Sequence, residues 1–136
     1  MQTDEELKAT LDISENDGII FVNFLKQVVD PEENVRRAQF AVGGVFEILD
    51  KDAEANFKIL VDMSLMGESH IPMQAHKIYL SALKKEQVRK VAIVGDFKAQ
   101  LKVLSFITPF IVGEGKKVVW FPNKAEAMLW FEKVTL

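Results

Sequence analysis

Three polar segments of the chain have the residue types to do chemistry: Asp62-Met63-Ser64, Gly95-Asp96 and Pro122-Asn123. Each follows a short apolar run that reads as a strand. In open α/β sheets, ligands bind beyond the carboxyl ends of the parallel strands. Asp62, Ser64, Asp96 and Asn123 therefore make a candidate crevice on one edge of a sheet. Each also has a plain structural use. Asp96 and Asn123 stand where helices need caps, and Asp62 and Ser64 suit a turn. Ser64 or Ser69 could be drawn beside a histidine and Asp62 as a nucleophilic triad. No Gly-x-Ser-x-Gly elbow exposes either hydroxyl, however, so serine catalysis is not expected and no catalytic residue is assigned.

The remaining chemistry-bearing types point the same way. His70 and His76 are the only histidines and stand six positions apart, which puts them on different helical faces and misses the i, i+4 spacing of a paired metal site. A semi-buried packing role suits His76, which falls near Met73, Leu80 and Leu83 on the apolar side of its helix, and His70 reads as a loop residue. The absence of cysteine removes disulfides, thiolate zinc sites and a cysteine nucleophile. Gly113-Glu114-Gly115-Lys116 is not a phosphate loop, because it follows a helix and precedes a strand. No metal and no cofactor are expected.

The most informative apolar stretch is Phe97 to Val112. Phe97, Leu101, Leu104 and Ile111 form one line at helical spacing, and Val103, Phe106, Ile107 and Phe110 a second. Together they are wider than the stripe a sheet-covering helix needs, and Pro109 should bend or end the helix. A second apolar face must be buried against something. Phe97, Leu101, Val103, Phe106, Ile107 and Phe110 are thus a candidate surface for a hydrophobic small molecule, a membrane surface or a homodimer contact. The paired aromatics Trp120-Phe121 and Trp130-Phe131 read as core packing.

The elements that must position these residues follow from periodicity and punctuation. Leu7 to Ile13 alternates, Glu15-Asn16-Asp17-Gly18 is a turn cluster, and Ile19 to Leu25 is apolar; together they predict a β-hairpin. Asp30-Pro31-Glu32-Glu33 starts a helix with a cap, a first-turn proline and a glutamate able to reach back. Val35, Ala38, Val42, Val45, Phe46 and Leu49 continue it at helical spacing, with Gly43-Gly44 marking a bend or a close approach. Strands are expected at Phe57–Asp62, Val88–Gly95 and Lys117–Phe121, and helices at Pro72–Lys85, Phe97–Val112 and from a capping box at Asn123 to about Val134. The order β-β-α-β-α-β-α-β-α predicts an α/β fold: a mixed, mostly parallel sheet with an N-terminal antiparallel hairpin and four helices, covered on both faces.

Size and composition fit one such domain spanning residues 1–136. Apolar residues make up 49% and charged residues 27%, ordinary for a globular fold. A net charge of −3 and no interleaved basic patch argue against a nucleic-acid partner. No apolar run approaches the roughly 18 residues needed to cross a bilayer, and Met1 to Thr10 is too polar for a signal peptide, so a cytoplasmic location is expected.

The segments Ile59-Leu60-Val61-Asp62-Met63-Ser64 and Val88 to Asp96, with Val119-Trp120-Phe121 followed by Glu126 to Phe131, together resemble the SpoIIAA-like branch of the STAS superfamily. The similarity runs from about Gly18 to Val134. The resemblance implies a compact, non-enzymatic α/β domain. Relatives act as protein-interaction switches or are compared with CRAL-TRIO lipid carriers. In the switch type a serine in an Asp-Ser-Ser-Gly loop is phosphorylated. Here the loop reads Glu68-Ser69-His70-Ile71, so only Ser69 matches that position. The chain is accordingly expected to be a STAS-like binding or regulatory domain taking up a hydrophobic ligand or touching a membrane. The alternative is an anti-sigma-antagonist type of switch with a protein partner, modified at Ser69.

Overall fold

Asp17 and Gly18 both adopt positive φ, 52° and 79°. A two-residue hairpin loop with the twist of its strands requires this at both positions, and Asp-Gly meets it best. The loop joins β1 (Leu11–Asn16) to β2 (Ile19–Phe24) with Asn16 opposite Ile19 and Leu11 opposite Phe24. The structure, a computed structural model, describes residues 1–67, 71–96 and 117–133.

The first strand begins later than its alternation suggests. Residues Asp4–Lys8 form a short helix, α1, in place of the expected strand start. The cause is local: Thr3 accepts from the Glu6 N–H at 3.1 Å while the Glu6 carboxylate accepts from the Thr3 N–H at 3.1 Å, a closed capping box. Leu7 is then fully buried, so one apolar side chain serves either reading of the pattern and the cap decides.

Helix α2 (Pro31–Lys51) starts at the predicted cap, where Asp30 accepts from the Glu33 N–H at 2.9 Å. Glu33 does not complete the box. Its carboxylate accepts instead from the Gln2 N–H at 2.6 Å, and Arg36 donates to the Gln2 carbonyl at 3.0 Å and pairs with Asp4. The N-terminal arm is thereby tied to α2. The two central glycines do not break the helix. A Cβ on Gly44 would meet Ile13 Cδ1 of β1 at 2.6 Å, whereas one on Gly43 would meet nothing within 4 Å. The close approach anticipated there is therefore the Ile13 side chain at Gly44 alone.

Strands β3 (Phe57–Asp62), β4 (Val88–Val94) and β5 (Val118–Phe121) add to β2 in chain order, all parallel, with β1 as the antiparallel edge. Helices α2 and α3 (Met73–Leu83) pack against each other on one face of the sheet. Crossovers of one hand between strands in sequential order place their helices on the same side. There Ile20, Val22, Phe24, Ile59, Val91 and Ile93 meet Val42, Val45, Ala82 and Leu83. The last helix, α4 (Lys124–Glu132), covers the other face, with Ala127 and Phe131 against Leu60, Ala92 and Val94. Trp120 and Phe121 point to opposite faces as their alternation requires.

Two strand lysines fasten α4. Lys58 Nζ donates to the Phe131 carbonyl at 2.6 Å, and Lys90 Nζ to the carbonyls of Trp130 at 3.3 Å and Lys133 at 3.2 Å. Both cations satisfy the free carbonyls and the negative end of the helix dipole. Desolvation, then the neighbouring Lys58 and Lys133 charges, hold the Lys90 ammonium below the usual lysine pKa.

The described elements thus make an α/β fold with a five-stranded mixed sheet and four helices, α1 to α4. These four include α1, which was not anticipated. The helix expected over Phe97–Val112 lies outside the described residues, as do Ser69 and His70. None of the described helices is long and apolar enough to cross a membrane.

Candidate functional site: an apolar hollow and a buried arginine

The predicted crevice residues reach one edge of the sheet, because β3, β4 and β5 are parallel neighbours. The side chains of Asp62 and Asn123 are occupied with local structure. The Asp62 carboxylate accepts from the Ser64 N–H at 2.9 Å, a turn that leaves Ser64 exposed. Asn123 accepts from the Glu126 N–H at 2.9 Å and caps α4. Asp96 is exposed at the end of the described part of its segment. His76 is half-buried on α3, but its expected neighbour Met73 is exposed. Among the described residues, no three His, Asp or Glu side chains gather as a metal site would need. Phe97, Leu101, Val103, Phe106, Ile107 and Phe110 lie outside the described residues.

The structure draws attention to a feature that periodicity does not carry. Between the sheet and the α2–α3 pair lies a hollow of about 80 Å³. Among the described residues its wall is apolar, built from Val22 and Phe24 of β2, Ala41, Val42 and Val45 of α2, Ile59 and Val61 of β3, the ring of Tyr79 with Ala82 and Leu83 of α3, and Val91 and Ile93 of β4. Met63, Met66 and Ile71 line the end where the parallel strands finish. Small side chains on the helices make the room: Ala41 and Ala82 stand where larger residues would meet across the layer.

Voids of this size are uncommon in close-packed interiors. At about 24 cal/mol per Å³, an unfilled hollow of this volume costs on the order of 2 kcal/mol. Apolar walls keep such a space dry, since a water there would lack hydrogen-bond partners.

A buried cation adjoins the hollow. Arg37 is fully buried and lies on α2 one turn before Ala41. Its guanidinium donates to the Lys26 carbonyl at 2.7 Å, to Asn34 Oδ1 at 3.1 Å and, at 3.5 Å, to Thr10 Oγ1. It stands over the Phe24 ring, 5.0 Å from the centroid, and Phe24 meets the Tyr79 ring edge-on at 6.1 Å. Both rings line the hollow. The Arg37 Nε has no acceptor among the described residues, and the ion pair found among them is Arg36 with Asp4, so no described carboxylate answers the Arg37 charge. Desolvation holds the Arg37 pKa below the usual arginine value. Burial pushes the Tyr79 hydroxyl well above the usual tyrosine range, and the Arg37 charge only partly offsets that rise.

Apolar side chains also crowd the loops at the Met66 end. Leu25 and Val29 after β2, and Leu65 and Met73 around the β3–α3 connection, are largely exposed. The two loops touch where Gln27 packs against Gly67, whose positive φ of 56° and lack of a Cβ permit the approach. Leu65 and Met73 flank Met66 and Ile71 of the hollow wall in sequence, so the exposed and enclosed apolar surfaces belong to the same connection.

The sequence contained a sign of Arg37. Positions 37, 41, 45 and 49 form one i, i+4 row of α2, and all four are buried. A charge in an otherwise apolar row is the exception that marks a functional or registering residue.

Comparison with known proteins supports the fold. No protein-family model matches the chain, and no curated protein matches it. Among solved structures it is similar to an uncharacterised protein of the DUF3478 family from Shewanella loihica PV-4, described as having a SpoIIAA-like fold. The TM-score is 0.54 at 15% identity, over 88% of this chain and 90% of that one. The chain has a SpoIIAA-like α/β fold, as its segments suggested.

Proposed function

We propose that this STAS-like domain is a non-catalytic binding module that takes up a small apolar molecule between the sheet and the α2–α3 pair. The observation that carries this reading is the hollow of about 80 Å³ whose wall, among the described residues, is made of apolar surface. Its volume is about half that of an engineered cavity of about 150 Å³ that accepts benzene, so a chain of about three or four carbons is the natural occupant. The three methionines at or beside the end where the strands finish, Met63, Met66 and Met73, are unbranched and polarizable and can re-pack around such a guest. The exposed Leu25, Val29, Leu65 and Met73 supply an apolar approach at the same end of the sheet.

Native mass spectrometry of gently purified protein, with NMR titration by short alkyl compounds, tests the proposal. A bound small molecule, or saturable shifts at Ala41, Tyr79 and Ala82, is the expected result. An absence of both would reject it.

A further inference from the structure

Strand β1 is an edge of the sheet. The two-residue loop Asp17-Gly18 makes Asn16 and Ile19 a hydrogen-bonded pair, so Ser14 and Asp12 bond to β2 in the same phase. The Leu25 N–H, donating to the Thr10 carbonyl at 2.8 Å, continues that phase. Leu11, Ile13 and Glu15 therefore turn their backbone N–H and C=O groups away from β2, where they find no partner among the described residues. An unpaired row of this kind is a template for one more strand.

A groove of about 810 Å³ runs beside that row, under the last turns of α2. Its floor includes Ile13, Ile48 and Ala55, which pack against the main core yet remain half-buried where the groove opens. Its rim carries the exposed carboxylates of Glu15, Glu47 and Asp52. Glu15 accepts from the Gly18 N–H and Asp52 from the Glu54 N–H, both at 3.2 Å, neutral donors that leave the charges unanswered. Lys51 lines the same groove, but among the described residues it forms no ion pair with them. The end of α2 adds the negative pole of its dipole. Gly18 and Phe57, where β2 and β3 begin, also line the groove, so it lies at the opposite end of the sheet from Asp62 and does not depend on the hollow.

We propose that β1 and this groove dock an extended, basic segment of a partner protein as a further strand of the sheet. The segment's backbone pairs with Leu11, Ile13 and Glu15. Alternate side chains then fall on the face that Ile13 and Glu15 share. An apolar one covers the Ile13–Ile48 floor, and lysine or arginine meets Glu15 and Glu47. Charge selects this occupant over a second copy of the chain. Pairing β1 with another β1 would bring Asp12, Glu15 and Glu47 of both copies to one seam, where like charges oppose association.

The test titrates the full chain, followed by NMR, with two end-capped peptides, Lys-Val-Lys-Val-Lys and Glu-Val-Glu-Val-Glu. The basic peptide is expected to bind at least about tenfold more tightly and to weaken as salt rises. Saturable shifts and slowed hydrogen exchange are expected at the Leu11, Ile13 and Glu15 amides. Glu15→Lys combined with Glu47→Lys, both at exposed positions, is expected to reverse the preference. Equal affinity for the two peptides, or binding of neither, overturns the proposal. So does basic-peptide binding that leaves those three amides unmoved, which would be attraction to the acidic surface without strand pairing. Shifts at the same amides on changing protein concentration, with no peptide present, would assign the edge to a second copy and also overturn it. Should the double variant not fold, the ratio of the two affinities in the unaltered protein still decides.

Discussion

The guanidinium of Arg37 stands 5.0 Å over the ring of Phe24, with its carbon nearest the face that the aromatic quadrupole makes negative. This pairing joins the second turn of α2 to the end of β2. The hydrogen bonds from Arg37 to the Lys26 carbonyl and Asn34 then hold the intervening loop. Replacing the side chain with an apolar one of similar length leaves those oxygens buried without donors. Arg37→Met should therefore destabilise the domain by about 2–4 kcal/mol. In urea unfolding this appears as a lower midpoint with an unchanged slope.

Tyr79 gives an independent reading of the same neighbourhood, and it is the only tyrosine in the chain. Its folded pKa is raised by burial. A raised acid pKa means that the unfolded chain loses its proton first as pH rises. Stability tied to the neutral hydroxyl is present below the unfolded tyrosine pKa of about 10 and falls as pH climbs past it. Spectrophotometric titration should show phenolate appearing only with alkaline unfolding. In Tyr79→Phe this alkaline loss should be smaller.

Filling the hollow separates an empty void from a poorly packed but harmless region. Ala82→Leu adds three carbons at a wall position that is 5% exposed. If they enter the space in a relaxed rotamer, stability should rise by about 1–2 kcal/mol. Thermal unfolding measures this directly. A decrease would mean that the wall does not accept the side chain and is overpacked by it.

The paired glycines of α2 predict a contrast. Gly43→Ala meets nothing within 4 Å and should gain about 1 kcal/mol from helix propensity alone. Gly44→Ala should gain less, because its Cβ arrives 2.6 Å from Ile13 Cδ1 and that methyl must turn away. In the double variant Gly44→Ala with Ile13→Val, which removes the obstructing methyl, the propensity gain at position 44 should reappear against an Ile13→Val background.

Much of the fold was legible because its signals are local or periodic. Asp17-Gly18 could only make a tight reversal, Asp30-Pro31 could only begin a helix, and the near-continuous apolar runs Phe57–Asp62 and Val88–Val94 suited strands covered on both faces. The misreading at Leu7 came from the same source. A short alternation and a one-turn helix bury the same leucine, and the reciprocal bonds of Thr3 and Glu6 broke the tie. The reading of Asp62, Ser64 and Asn123 located them on the correct edge, yet their hydrogen bonds are those of turns and caps.

Sequence alone determined the alternation of strands and helices, because strand and helix periods differ. It determined the mostly parallel sheet as well, since a helix between two strands returns the chain to the same end, while the order of the strands came from the structure. The hollow and the unanswered charge were decided only in three dimensions. A void is a small difference between the volumes of side chains brought together from five elements, β2, α2, β3, α3 and β4, and no segment records that difference. Arg37 interrupts the apolar row of positions 41, 45 and 49, but only the tertiary structure closes Lys26, Thr10 and Asn34 around it and takes it out of water.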